Sequence, residues 1–253
     1  MLKRMLVILV VCLFFSGFSW AKEPLKFVFT NYAPANYQSE TGEFGGFFID
    51  IIKEALEQRM GIAVSMSVFP WKRCQLLVEE GQADMIATVP TPERLVYAVA
   101  TETPIWVKKW RLFTYAGHPD LAKFDAIKSI EDLKKGGYTV VSYIGNSWSD
   151  TMIKGAGIPV SDSNTVEAMY KMLAAKRGDV FIEDTLLVVP ALKNLELTDK
   201  IVATEGIVAE GNFNLLIGKK SQYSDMISQL DTVLKEMWQD GTIEEILARY
   251  TQQ

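Results

Sequence analysis

Apolar and polar positions switch between two periods along this chain, and the switch points mark its elements. Residues 25–30 alternate apolar and small side chains as a strand does, then run into the turn Asn31-Tyr32-Ala33-Pro34. Residues 48–60 carry Phe48, Ile51, Ile52, Ala55 and Leu56 on one helical stripe, stopped by Gly61. Val64, Met66 and Val68 alternate as a second strand. Trp71, Cys74, Leu77 and Val78 form the stripe of a helix that Gly81 ends, and residues 83–87 supply a third strand. This β-α-β-α-β order predicts a parallel sheet with right-handed crossovers.

After Pro104 the pattern changes to a long extended run, 106–115, which reads as a crossover into a second unit. Ser129-Ile130-Glu131-Asp132 opens a helix stopped by Gly136-Gly137, and residues 138–143 read as a strand. Gly145-Asn146-Ser147 precedes a helix from Trp148, and 166–175 is a further helix. The apolar strand Val180-Phe181-Ile182 delivers Glu183 and Asp184 to its carboxyl end. Residues 201–208 read as extended, and 213–217 as a separate strand flanked by Gly211 and Gly218. Two helices close the chain, the last opened by a capping box at Thr242-Ile243-Glu244-Glu245. The pattern predicts an α/β protein of two lobes: residues 22–108 and 209–253 in the first, 109–208 inserted as the second. Two crossings near 104–108 and 208–212 make a two-strand hinge.

Residues 1–21 read as a secretory signal. Lys3 and Arg4 precede an apolar core at 6–15, and Ser19-Trp20-Ala21 is a small-x-small cleavage site. Cleavage after Ala21 predicts a periplasmic product, and a monomer is expected; an uncleaved anchor is the alternative. No later segment approaches the roughly 20 apolar residues of a membrane helix. Cleavage leaves Cys74 as the one cysteine, so no intrachain disulfide can form, and its helical stripe predicts a buried thiol. Two basic residues and no acidic one leave, moving the formal charge from −5 to about −7. That balance, with no basic run, argues against nucleic acid. With His118 the one histidine, neither a His-rich metal site nor a His-dependent triad is expected, and no cofactor, metal or catalytic set is assigned.

The stretch that carries chemistry is Thr91-Pro92-Glu93-Arg94. Thr91 can cap a helix, Pro92 suits its first position and Glu93 complements its dipole, which leaves Arg94 in a first turn already positive. An anionic ligand resolves that conflict; a surface pairing with Glu93 or Glu102 is the alternative.

Several motifs in order give the mature chain its resemblance to the family 3 extracellular solute-binding proteins, the amino-acid-type receptors of ABC importers. They are the aromatic turn Tyr32 to Tyr37, Gly46-Phe47-Phe48-Ile49-Asp50, Gly81 to Asp84, Thr91 to Arg94, Gly145-Asn146-Ser147, Asp184, and Asp240-Gly241 through Ile246. The resemblance implies the two-lobed type II periplasmic-binding-protein fold. It implies that Arg94 takes a ligand carboxylate and Asp184 an ammonium, roles that suit a planar guanidinium fork and an acceptor-only carboxylate. Asp184 is equally placed to cap the helix that begins at Thr185. Asn146 and Ser147 would add N–H groups, with ordinary capping as the alternative. Tyr32 and Tyr37 resemble an aromatic wall, or pack locally. Thr88, Trp71 and Arg73 complete the candidate set, Arg73 either facing the cleft or solvated.

Two departures bear on the ligand. Val89 stands where the family commonly has a serine that helps bind the ammonium, and Phe48 where it commonly has aspartate. A carboxylate-bearing solute fits this pattern better than an ordinary α-amino acid does. The expected function is binding of a small polar carboxylate-bearing solute, an amino acid or amino-acid-like compound, by hinge closure, for an ABC permease. The alternatives are a sensor that presents the solute to a membrane receptor and, third, a fold-related dehydratase or lyase using Glu183 and Asp184.

Overall fold

The computed structural model describes residues 23–146 and 148–251, so the leader reading and Ser147 lie outside the described residues. The first lobe opens with β1 (Leu25–Phe29), the hairpin β2 (Tyr37–Gln38) and β3 (Phe44–Gly45), and α1 (Phe47–Ile52), which continues as a wider π-helical segment over Lys53–Arg59. Then come β4 (Val64–Val68), α2 (Trp71–Glu80), β5 (Met85–Thr88), α3 (Pro92–Tyr97) and β6 (Ala98–Ala100). β7 (Trp106–Tyr115) crosses into the second lobe, which holds α4 (Leu121–Asp125), α5 (Ile130–Gly136), β8 (Val140–Tyr143), a π-helical segment at Ser149–Lys154, β9 (Val160–Ser163), α6 (Val166–Ala174), β10 (Val180–Glu183) and α7 (Thr185–Asn194). β11 (Ile201–Gly218) returns to the first lobe, and α8 (Ile227–Gln239) and α9 (Thr242–Thr251) finish it.

The strand order is β4-β1-β5-β11-β7-β10-β8-β9, with β6 also on β11. β1 is parallel to β4 and β5 in one lobe, and β8 is parallel to β9 and β10 in the other. The antiparallel ribbon of β7 and β11 joins them, pairing Lys108 with Gly211 and Lys109 with Glu210 at the crossing.

Alternation divides each strand between two cores. Leu25, Phe27 and Phe29 of β1 enter one core, while Val28 enters another with Cys74, Leu77 and Val78 of α2. In the second lobe Leu112, Val140, Val180 and Ile182 face one way and Phe113, Val141 and Phe181 the other. Both faces are covered, which explains the uninterrupted apolar run of β10. Leu186 and Leu187 of α7 leave the second lobe's cores and pack into that of the first.

The structure revises three local expectations. β11 is continuous through Gly211, whose position is covered by the Trp110 ring: a Cβ there would lie 2.8 Å from it. The capping box at Thr242 does not form. Thr242 is already the first helical residue, Asp240 accepts its N–H and its hydroxyl, and the Gly241 carbonyl accepts from Glu245. Thr91 holds the extended cap geometry of α3 without a side-chain capping bond, because its hydroxyl is engaged by Glu93.

Candidate functional site

The turn after β1 is tied down from several sides. Tyr32 and Asn36 exchange backbone hydrogen bonds at 2.8 and 3.1 Å, and the Asn36 amide donates to the Thr30 carbonyl. The first N–H groups of α1 donate to Pro34 and Ala35 carbonyls, which brings the helix so near that a Cβ on Gly46, with φ of 118°, would lie 2.4 Å from the Ala35 oxygen. This clamp sets Tyr32 in the wall of a cavity of about 220 Å³. Phe29, Tyr32, Phe48, Trp71 and Phe213 give it aromatic walls, and Thr30, Asn36 and Thr88 supply polar groups. Phe48 is buried against Trp106 and Phe213 at 5.9 and 5.7 Å, so the place commonly held by aspartate belongs here to the apolar wall.

Arg94 lies over the Trp71 ring, 5.4 Å from its centre. Its Nε donates to Gln75 of α2 at 3.2 Å and its Nη1 to the Val89 carbonyl at 2.8 Å. Nη2 has no hydrogen-bond partner among the described residues. Burial lowers the pKa from the ordinary guanidinium value, opposed by Tyr97 and Glu93. Both side-chain contacts hold the guanidinium plane in place and leave one N–H edge for an acceptor.

The other candidates are dispersed. Asp184 is buried and N-caps α7, its Oδ1 accepting from Leu186 N–H at 2.9 Å and its Oδ2 from Lys109 N–H at 2.6 Å. It borders a different cavity, about 460 Å³, with Lys109, Arg111 and Glu210. Burial raises its pKa, opposed first by those two N–H groups. Asn146 precedes the Ser149–Lys154 segment, accepting from Ser149 N–H at 3.1 Å and donating to Ser142 Oγ at 3.3 Å. Tyr37 lies across Gly45 in the hairpin, in the electrostatic neighbourhood of Tyr250, outside the residues lining the 220 Å³ cavity. Arg73 is exposed. The structure thus brings Tyr32, Trp71 and Thr88 together around one cavity, with Arg94 against Trp71.

One pair in the cleft floor was not anticipated. Lys108 of β7, its side chain only 8% exposed, places Nζ 2.5 Å from Glu183 Oε1 and donates to the Tyr32 hydroxyl at 3.1 Å. Rings of Tyr32, Trp106 and Trp110 surround the ammonium at 5.1–5.9 Å. Tyr32 is held protonated, its pKa pushed up by burial and then by Glu183. The sequence did carry a signal: Trp106, Lys108 and Trp110 share one parity, so the lysine interrupts an aromatic face. Trp110 stacks on Trp148 at 5.1 Å and 10°.

His118 and Cys74 have structural partners. The histidine ring bridges Asp179 and the Asp120 N–H, and the thiol donates to the Phe69 carbonyl. Among the described residues there is no acidic, histidine or cysteine cluster fit for a metal, and no helix long and apolar enough to cross a membrane.

The model of the bacterial extracellular solute-binding proteins, family 3, matches residues 26–253. The chain belongs to that family. Solved structures agree on the type II periplasmic-binding-protein fold. An ancestral cationic amino acid solute-binding protein matches at TM-score 0.69 and 19% identity, covering 90% of this chain and 95% of its own. Substrate-binding domain 2 of Lactococcus lactis GlnP, in an open conformation, matches at TM-score 0.70 and 18% identity over 92% and 97%. A histidine kinase sensor domain similar to periplasmic binding proteins matches at 0.65 and 16% over 91% and 96%. No curated protein matches in sequence. Members of family 3 bind small molecules outside the cytoplasm and deliver them to ABC permeases.

Proposed function

We propose that this protein is exported to the periplasm by cleavage after Ala21, closes its lobes over a small carboxylate-bearing solute, and presents it to an ABC importer. The observation that carries the reading is the Nη2 edge of Arg94, unpartnered among the described residues and held beside an aromatic cavity by Gln75, Val89 and Trp71. A carboxylate there gains a charge-assisted bond that strengthens as closure removes water. Tyr32, Trp71 and Thr88 contact the body of the solute, and Asn146 belongs to the second lobe.

Calorimetry on the mature protein tests it. Arg94→Ala is expected to weaken a bound carboxylate by about 3 kcal/mol, on the order of 100-fold in Kd. Equal affinity in the variant refutes the assignment. The likeness to a sensor domain keeps a second reading alive, in which the closed protein signals to a membrane receptor. Co-purification with a permease or with a receptor decides between them.

A further inference from the structure

We infer that Lys108 is the cation held by the acid of the cleft, so that the solute carries a carboxylate and no ammonium. The inference rests on the reading of Arg94 as the carboxylate site and specifies the other end of the same ligand.

Three observations converge. First, Glu183 is already neutralised, with Lys108 Nζ 2.5 Å away and both side chains largely buried, at 8% and 16% exposure. An ammonium has three N–H bonds; here one goes to Glu183, one to the Tyr32 hydroxyl, and the remaining surroundings are the faces of Trp106 and Trp110. This is the coordination an amino acid's ammonium would need, filled by the protein itself. Second, the neighbouring Asp184 commits both carboxylate oxygens to backbone N–H groups of Lys109 and Leu186. Third, among the described residues no aspartate or glutamate lines the 220 Å³ cavity, where Tyr32 is the shared residue between the cavity wall and the Lys108 site.

An α-ammonium entering this cavity would therefore meet no free carboxylate, lie near a buried like charge, and lose its water. Discrimination against it follows from that repulsion and from the absence of a partner. The five aromatic side chains complement an apolar or aromatic body. The class is a small monocarboxylate without a cationic group.

Matched pairs that differ only in the ammonium test this: valerate against L-norvaline, and 3-phenylpropionate against L-phenylalanine, by calorimetry on the mature protein. The wild type is expected to favour the ammonium-free member by on the order of 100-fold. Lys108→Met, which frees Glu183, should raise affinity for the amino-acid member. The double variant K108M/E183Q, which removes both charges and avoids a lone buried carboxylate, should lose that gain. Wild type that binds the amino-acid member as tightly or more tightly overturns the inference. So does folded K108M, checked by circular dichroism, that shows no gain, including the case where wild type binds neither member. A gain in K108M that vanishes in the double variant supports it. Arg94→Ala separates the two readings. Loss of both members of a pair reports the carboxylate site, whereas unchanged affinity with the preference intact removes that site and leaves the role of Lys108 standing.

Discussion

Asp184→Ala is expected to destabilise the unliganded protein, because this carboxylate anchors the start of α7 to the hinge strand. The substitution removes the acceptor for Leu186 N–H at 2.9 Å and for Lys109 N–H at 2.6 Å. Loss of the helix cap costs about 1 kcal/mol. A second N–H, that of Lys109 and only partly buried, is left without its partner at a cost of about 1–3 kcal/mol. The expected deficit is therefore roughly 2–4 kcal/mol, read as a lower urea midpoint at unchanged slope. Asp184→Asn should fall between, since its oxygen can still cap Leu186 while its NH₂ opposes the Lys109 donor. The pH dependence has a definite sign. Burial raises the folded pKa of Asp184, so its contribution is fully present below the unfolded value near 3.9 and declines as pH rises through the folded one. The margin of wild type over D184N should narrow from acid towards neutral pH, opposite to an ion-paired carboxylate. An Asp184→Ala protein within about 0.5 kcal/mol of wild type, or one that keeps its stability and loses only ligand affinity, would refute the anchoring argument.

Two further predictions concern the hinge and the end of the first lobe. Gly211→Ala would put a Cβ 2.8 Å from the Trp110 ring; it should cost about 1–3 kcal/mol in chemical unfolding and alter the near-ultraviolet dichroism of the Trp110–Trp148 stack, and an unchanged spectrum would count against that packing. Asp240 is held down to about 2, first by the Thr242 hydroxyl and then by Arg59; its contribution to stability is present above the unfolded carboxylate range and lost as pH falls through about 2, and a carboxylate NMR titration with a midpoint near 4 would contradict it.

The sequence was most legible where periodicity is strong. The alternation of Leu25, Phe27 and Phe29 located β1, and the stripe through Cys74 and Leu77 located α2 and its αL stop at Gly81. The inserted second unit followed from the long run at 106–115 and its return partner. Short or weakly apolar pieces were not legible. β9 has one apolar residue in Val-Ser-Asp-Ser and owes its form to pairing with β8, and α4 spans five residues, too few for a stripe. Of the candidate site, the start of the helix that carries Arg94 was readable because Thr-Pro-Glu is a local signal, although the capping bond expected from Thr91 does not form. The Lys108–Glu183 pair was not, because topology alone brings β7 and the end of β10 together. Asp184 shows the limit of a motif: its capping geometry was written in the chain, while the commitment of its second oxygen to Lys109 depended on the neighbouring strand.

The seating of Leu186 and Leu187 in the first lobe's core makes the beginning of α7 mechanically part of that lobe. Under the proposed closure, the second lobe acts as a lever whose fulcrum lies at β7. With strands about 4.8 Å apart, a rotation of about 15° displaces β10 by roughly 1 Å and β9, three strands out, by roughly 4 Å. The floor holding Glu183 and Lys108 is consequently almost stationary while the outer rim sweeps. A solute would dock on a finished half-site in a step whose rate rises with its concentration, and the swing of the arm would follow at a rate that does not.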